Sequence, residues 1–234
     1  GRGSSHIDEY LRDERTEIRI IVDADEAVAN RRCDEIEKKQ GTRPKPVIDM
    51  RQAFDDKSID FISTATPNHW HALTGVWAMQ AGKDVYVEKP CSHNVHEGRI
   101  AVDTARKFKR IVQHGTQSRS SSGMREAIAY LHAGKLGKVN LARGICYKLR
   151  PSIGRTTEPT PLPKSVDYDL WCGPAPKLPF MKSRFHFHWR WNLAFGGGQL
   201  LDWICHHNDI AHWGLDEDLG GPLELETSDW TWPE

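Results

Sequence analysis

Polar and apolar positions along this chain follow two alternating periods. Short runs rich in β-branched residues recur at Glu17 to Val22, Val47-Ile48, Asp60 to Thr64, Asp84 to Val87 and Arg110 to Gln113. Between them, apolar residues return at helical spacing over Ile7 to Leu11, Ala27 to Gln40, Asn68 to Ala81-Gly82, and Val95 to Phe108. Gly41 is placed to close the second of these helices and Asn68 to cap the third. Strand and helix taking turns at this interval predict a parallel sheet with right-handed crossovers, an α/β arrangement.

After Gln117 the rhythm changes. Met124 to His132 reads as a helix, and Val139 to Tyr147 alternates as a strand. Pro151 to Pro179 is a long loop carrying Tyr168-Asp169-Leu170-Trp171-Cys172-Gly173-Pro174, and ordered loops of that length usually serve function. Gly196-Gly197-Gly198 then opens a final helix, Gln199 to Trp213, and three glycines let a ligand approach a helix start closely. Asp202, His206, Asp209 and Trp213 follow at steps of four, three and four, which puts them on one helical face. A further strand start is expected just before Trp232-Pro233-Glu234.

Composition narrows the function classes. The 234 residues suffice for one large or two small domains, and 38% hydrophobic residues are enough for ordinary cores. Formal net charge is zero and no basic stripe stands out, which argues against nucleic acid or a membrane surface as partner. No apolar run is long enough to span a bilayer. The five cysteines are scattered without a C-x-x-C pair, so free thiols are expected. The chain starts at Gly1 and shows no signal peptide; it looks cut at both ends, with an export signal upstream left open and the cytoplasm the default compartment.

The chemistry-bearing positions sit at strand ends. Lys89 follows Asp84-Val85-Tyr86-Val87-Glu88 and precedes Pro90, which holds it extended at the strand's lip. Ligands of open α/β sheets lie outside those carboxyl ends, although a surface lysine ending a strand has the same sequence. Gly1 and Gly3 begin the first helix, where backbone N–H groups favour an anion. The strand that should precede such glycines is missing. Asp23 lies about 20 residues further on, the spacing of a carboxylate that holds the adenosine ribose. Asp23 equally suits the start of the helix near Asp25.

Three motifs in order carry a resemblance: Thr66-Pro67-Asn68-x-x-His71; Ala81-Gly82-Lys83-x-Val85-x-x-Glu88-Lys89-Pro90; and Gly196-Gly197-Gly198 with Asp202-x-x-x-His206-x-x-Asp209. The set, spanning Gly1 to Trp213, resembles the Gfo/Idh/MocA family of glucose–fructose oxidoreductase and inositol dehydrogenase. The resemblance implies a Rossmann-type doubly wound parallel sheet lacking its first strand over residues 1–118. It implies a partial α+β domain with an open, mostly antiparallel sheet over 119–234. It also implies NAD, with NADP less favoured because Asp23 would meet the 2′-phosphate, and a sugar or polyol as substrate.

By that resemblance Lys89 binds the reacting hydroxyl, His206 is the general base, and Asp202 orients it or supports its charge. Gly1, Gly3, Ser4, Asp23, Thr66, Pro67, Asn68, His71, Glu88 and Gln117 line the cofactor. Trp189, Arg190 and Asp209 serve the substrate, with Trp171 and Trp191 as further aromatic candidates. Two departures stand out: the chain is shorter than its family, and Ile204 occupies a position often held by glycine. Without its first strand the chain is expected to be less stable and less active than an extended form. A homo-oligomer is expected of the full-length form. A metal centre built from His186, His188, His206, His207 and His212 with Asp202 and Asp209 lacks H-E-x-x-H spacing, and no metal is expected. The other readings are an NAD-assisted glycoside hydrolase of the same fold and a non-catalytic relative.

Overall fold

The structure, a computed structural model, describes residues 1–217 and 220–228. The strand start expected before Trp232 lies outside them. By packing the chain forms two compact units: Gly1–Gly115 with Lys148–Cys205, and Thr116–Tyr147 with the segment from His206 onward.

The first unit holds every strand assigned among the described residues. Helix α1 (Arg2–Tyr10) leads into β1 (Ile20–Val22), then α2 (Glu26–Gln40), β2 (Lys45–Val47), α3 (Arg51–Asp55), β3 (Phe61–Thr64), α4 (Asn68–Gln80), β4 (Asp84–Glu88), α5 (Val95–Phe108) and β5 (Val112–Gly115). All pairing is parallel. It is divided between a two-stranded sheet, β1-β2, and a three-stranded sheet, β3-β4-β5. The expected single sheet is thus broken between β1 and β3, where a first strand would belong in the doubly wound order.

Local chemistry explains most boundaries. Asp25 caps α2 by accepting from the Ala27 N–H, and Gly41 ends it at φ 85°. Asn94 caps α5 by accepting from the Glu97 N–H. Asn68, expected as a cap, is instead the first residue of α4 and is buried; Pro67 takes the cap position. β5 starts two residues beyond the expected Arg110, because the Arg110 N–H donates to the Ala105 carbonyl and the Ile111 N–H to the Asp84 carboxylate.

One core lies between α4 and the strands, built from Phe54, Ala78, Met79, Val85 and Val87. A second is aromatic: Tyr168, Trp171, Phe185, Trp189 and Phe195, with Val166 and Cys172. It includes α7 (Tyr168–Cys172), capped by Asp167, which turns part of the expected loop into helix. This cluster joins the first unit because Ala24 packs on it and Asp25 bridges to Val166. The triple glycine serves packing as well. A Cβ on Gly196 would stand 2.9 Å from the Trp189 ring, and one on Gly197 would strike Leu201. After it, Leu200–Ile204 form a π-helical turn, so the α-helical period does not run through Asp202.

The second unit contains a 3₁₀ turn over Gln117–Ser120, α6 (Ser122–His132) and α8 (Cys205–Gly214). Here His132 Nε2 lies 2.8 Å from the Trp213 carbonyl oxygen, and Ile128 and Leu131 approach Gly214. The segment Val139 to Tyr147, expected as a strand, has no ladder among the described residues. Its alternating pattern suits a sheet, but no described strand lies beside it to pair with.

Candidate active site

The site is assembled around the carboxyl end of β4. Glu88 is its last residue, and its side chain is only 5% exposed. Its Oε1 accepts from Arg2 Nε at 2.8 Å and lies 3.1 Å from His6 Nε2, while Oε2 accepts from the Lys89 N–H at 3.1 Å. Burial alone would raise this carboxyl. The His6 and Arg2 bonds outweigh it and hold the pKa down at about 2. His6 Nδ1 also meets Ser63 Oγ at 2.8 Å, so Glu88 ties the first turns of α1 to the ends of β3 and β4.

Lys89 follows, joined to Pro90 by a cis peptide. Its ammonium donates to the main-chain carbonyl of Asp202 and lies 3.2 Å from that residue's Oδ1. Arg190 Nε donates to the same Oδ1 at 3.1 Å, and Arg150 Nη2 to Oδ2 at 3.0 Å. One carboxylate therefore gathers three cations. Burial pushes Asp202 upward, but the charges and hydrogen bonds of Lys89 and Arg190 prevail and keep it below the usual carboxylate range. The contacts of Asp202 fix Lys89 in place.

The neighbouring histidine anchors the loop. His71, fully buried, lies 2.8 Å from the Thr66 carbonyl oxygen and 2.5 Å from that of Pro90, and burial lowers its pKa. It thus pins Thr66-Pro67-Asn68 against the Lys89-Pro90 turn. Thr66 Oγ1 also meets Thr64 Oγ1 at 3.0 Å.

The residues at the start of α1 fit a dinucleotide. Gly1 caps the helix without any side-chain hydrogen bond. A Cβ at Gly1 would meet nothing within 4 Å, and one at Gly3 only the Ala65 Cβ at 3.9 Å. The room left at Gly3, in the first turn of this nine-residue helix, suits an anionic phosphate group. Asp23 directly follows β1, and its carboxylate accepts from the Asp25 N–H at 2.9 Å; burial raises its pKa. The capping role falls to Asp25, which leaves Asp23 as the carboxylate at the strand end.

The remaining expected residues fall in different settings. Trp189 is buried in the aromatic core, with the Arg190 guanidinium 4.5 Å over its ring. In the second unit, Arg119 grips Asp209 with two donors, Nε at 2.9 Å to Oδ2 and Nη2 at 2.9 Å to Oδ1, and lies over the Trp213 ring at 5.2 Å. Gln117 opens the 3₁₀ turn and His206 lies in the first turn of α8. Arg2, His6 and Arg150 had no signal in the motif spacing, because each arrives from a distant stretch. Among the described residues, no three His, Cys, Asp or Glu groups converge as a metal centre, and no helix is long and apolar enough to cross a membrane.

Residues 1–116 match the family model for the NAD-binding Rossmann fold of the GFO_IDH_MocA oxidoreductases. Residues 131–230 match the model of a C-terminal alpha/beta domain of the same oxidoreductases. Over 115 residues the chain is 33% identical to a glycosyl hydrolase family 109 protein of Shewanella baltica, covering 47% of this chain and 25% of that protein. It is 31% identical to an alpha-N-acetylgalactosaminidase of Shewanella oneidensis over 115 residues, with the same coverage. The chain thus spans about a quarter of the length of the curated relatives it matches. GenD2 from gentamicin A biosynthesis, solved in complex with NAD, shares the fold at a TM-score of 0.65 and 19% identity, covering 93% of this chain and 51% of that one.

Proposed function

The chain belongs to the Gfo/Idh/MocA oxidoreductase family, and we propose that it moves a hydride between NAD and a hydroxyl-bearing carbon of a sugar or polyol. The observation that carries this reading is Lys89, held by Asp202 at the carboxyl end of β4 within a Rossmann domain. Gly1, Gly3, Ser4 and Asp23 would hold the dinucleotide, whose nicotinamide ring supplies the hydride acceptor when bound. Asp23 favours NAD, since a carboxylate repels a 2′-phosphate.

Oxidation of an alcohol needs the hydroxyl proton removed while charge grows on the oxygen. The Lys89 ammonium would donate to that oxygen and stabilise the charge. His206 would take the proton, a task suited to an imidazole near neutral pH. Asp202 would keep Lys89 in place.

Nicotinamide fluorescence during NADH titration tests the cofactor site. Binding to the native chain, lost in Asp23→Arg, is the expected result, followed by sugar- or polyol-dependent NADH formation that Lys89→Ala abolishes. No NADH binding by the native chain would overturn the reading. The names of the two Shewanella relatives favour a second reaction on the same residues, glycoside cleavage with no net redox. It would release the leaving group from a nitrophenyl glycoside without accumulating NADH.

A further inference from the structure

The cluster around Asp202 carries more charge than fixing a lysine requires. Lys89, Arg150 and Arg190 all bond one carboxylate, which leaves two positive charges in excess. The four side chains are 16%, 26%, 22% and, for Asp202, 13% exposed, so water screens them only in part. The neighbouring carboxylate, Glu88, is bonded by Arg2 and His6.

Arg150 is the informative member. Its segment is anchored where Gln199 Nε2 donates to the Lys148 carbonyl at 3.0 Å. Its guanidinium lies 5.4 Å from the Phe187 ring centre and 5.6 Å from that of Trp191. Arg190 lies 4.4 Å over the same Phe187 ring. Aromatic faces hold both guanidinium planes without consuming their N–H donors. One of those donors, the Arg150 Nε–H, is buried with no acceptor among the described residues. That Nε–H is sealed from solvent, so a carboxylate or phosphate oxygen would meet the terminal nitrogens of the same 26%-exposed fork, of which only Nη2 bonds Asp202.

We infer that Arg150, with Arg190, recognises an anionic group on the substrate, so that the substrate is an acid sugar or sugar phosphate and not a neutral sugar. The inference deepens the sugar-oxidoreductase reading and rests on it. The indole and phenyl faces beside the forks supply the apolar surface that a sugar ring's C–H groups cover.

Calorimetric titration tests it with D-glucuronate, glucose 6-phosphate, D-glucose and inorganic phosphate, each with and without saturating NADH. At least one anionic sugar should bind about tenfold tighter than glucose, the scale of one charge-assisted pair. Comparing glucuronate with glucose 6-phosphate separates the carboxylate from the phosphoryl group. Arg150→Gln should shrink the preference to within about threefold while NADH binding persists. If that variant fails to fold, judged by its thermal transition, the salt dependence of glucuronate binding by the native chain replaces it. Affinity falling as salt rises supports the inference, and salt-independent affinity overturns it. Equal affinity for glucose and both anionic sugars overturns the inference, as does inorganic phosphate binding as tightly as either. Displacement of NADH by the anionic sugar also overturns it, since the cations would then serve the cofactor's phosphates. Absent NADH binding with the anionic preference intact sinks the redox reading alone.

Discussion

Replacing Glu88 with Gln tests whether the site is held together by charge. The native carboxylate is nearly sealed from solvent and accepts from Arg2 and the Lys89 N–H, with His6 in hydrogen-bond range. Its pKa falls from an ordinary 4.5 to about 2. At about 1.36 kcal/mol per unit, that corresponds to about 3 kcal/mol, trimmed toward about 2 by the solvent that reaches Arg2. The sign follows from the depressed folded value. Stabilisation is complete above about pH 4.5 and fades as pH falls toward 2. Urea unfolding followed by tryptophan fluorescence should show Glu88→Gln less stable than the native chain by about 2–3 kcal/mol at pH 7, narrowing to about 1 kcal/mol at pH 3. Other acid-labile groups, His69 among them, are common to both proteins and cancel in the difference. A gap that stays constant between those pH values, or no gap at pH 7, would refute the charge-based account and leave only shape.

Three further perturbations bear on neighbouring features. Asp202→Asn leaves three cations around a neutral amide, and denaturant midpoints should report a loss of about 3 kcal/mol; an unchanged midpoint would mean that the cluster contributes nothing to the fold. Gly173 has φ +50° and a Cβ there would stand 2.0 Å from the Trp70 ring, so Gly173→Ala should cost about 3 kcal/mol in the same assay. Burial holds His69 neutral, with its pKa lowered from 6.5 to about 4. Its folded value lies below its unfolded one, so native stability should be whole above about pH 6.5 and decline between there and pH 4. His69→Gln should flatten that decline, measured by melting temperature against pH.

The relation between sequence and structure differs from element to element. Strands β1, β3 and β4 and helices α2, α4 and α5 are legible in the chain, because each repeats its own period and carries its own caps or stops, whereas β2 at Lys45–Val47 and β5 at Val112–Gly115 are displaced from the expected Val47-Ile48 and Arg110 to Gln113. Asp25, Gly41 and Asn94 act within a few residues of themselves. Lys89 is also legible, since a strand that ends at proline sets its place locally. The pattern alone misleads where a partner is needed. Val139 to Tyr147 alternates as a strand does, but a ladder requires a neighbour that no local pattern supplies. Likewise, Leu200–Ile204 reads as α-helix and forms a π-helical turn, a difference of one hydrogen-bond step that composition does not encode.

What the sequence by itself determined, then, is the alternating α/β scaffold and the position of each strand-end residue, since both follow from periodicity and short-range capping. Only the tertiary structure decided which charges meet. Lys89, Arg150 and Arg190 reach Asp202 from 113, 52 and 12 residues away, and Arg2 reaches Glu88 across 86. Such meetings depend on how the chain packs over long loops, and a carboxylate's partners leave no trace in the spacing around it.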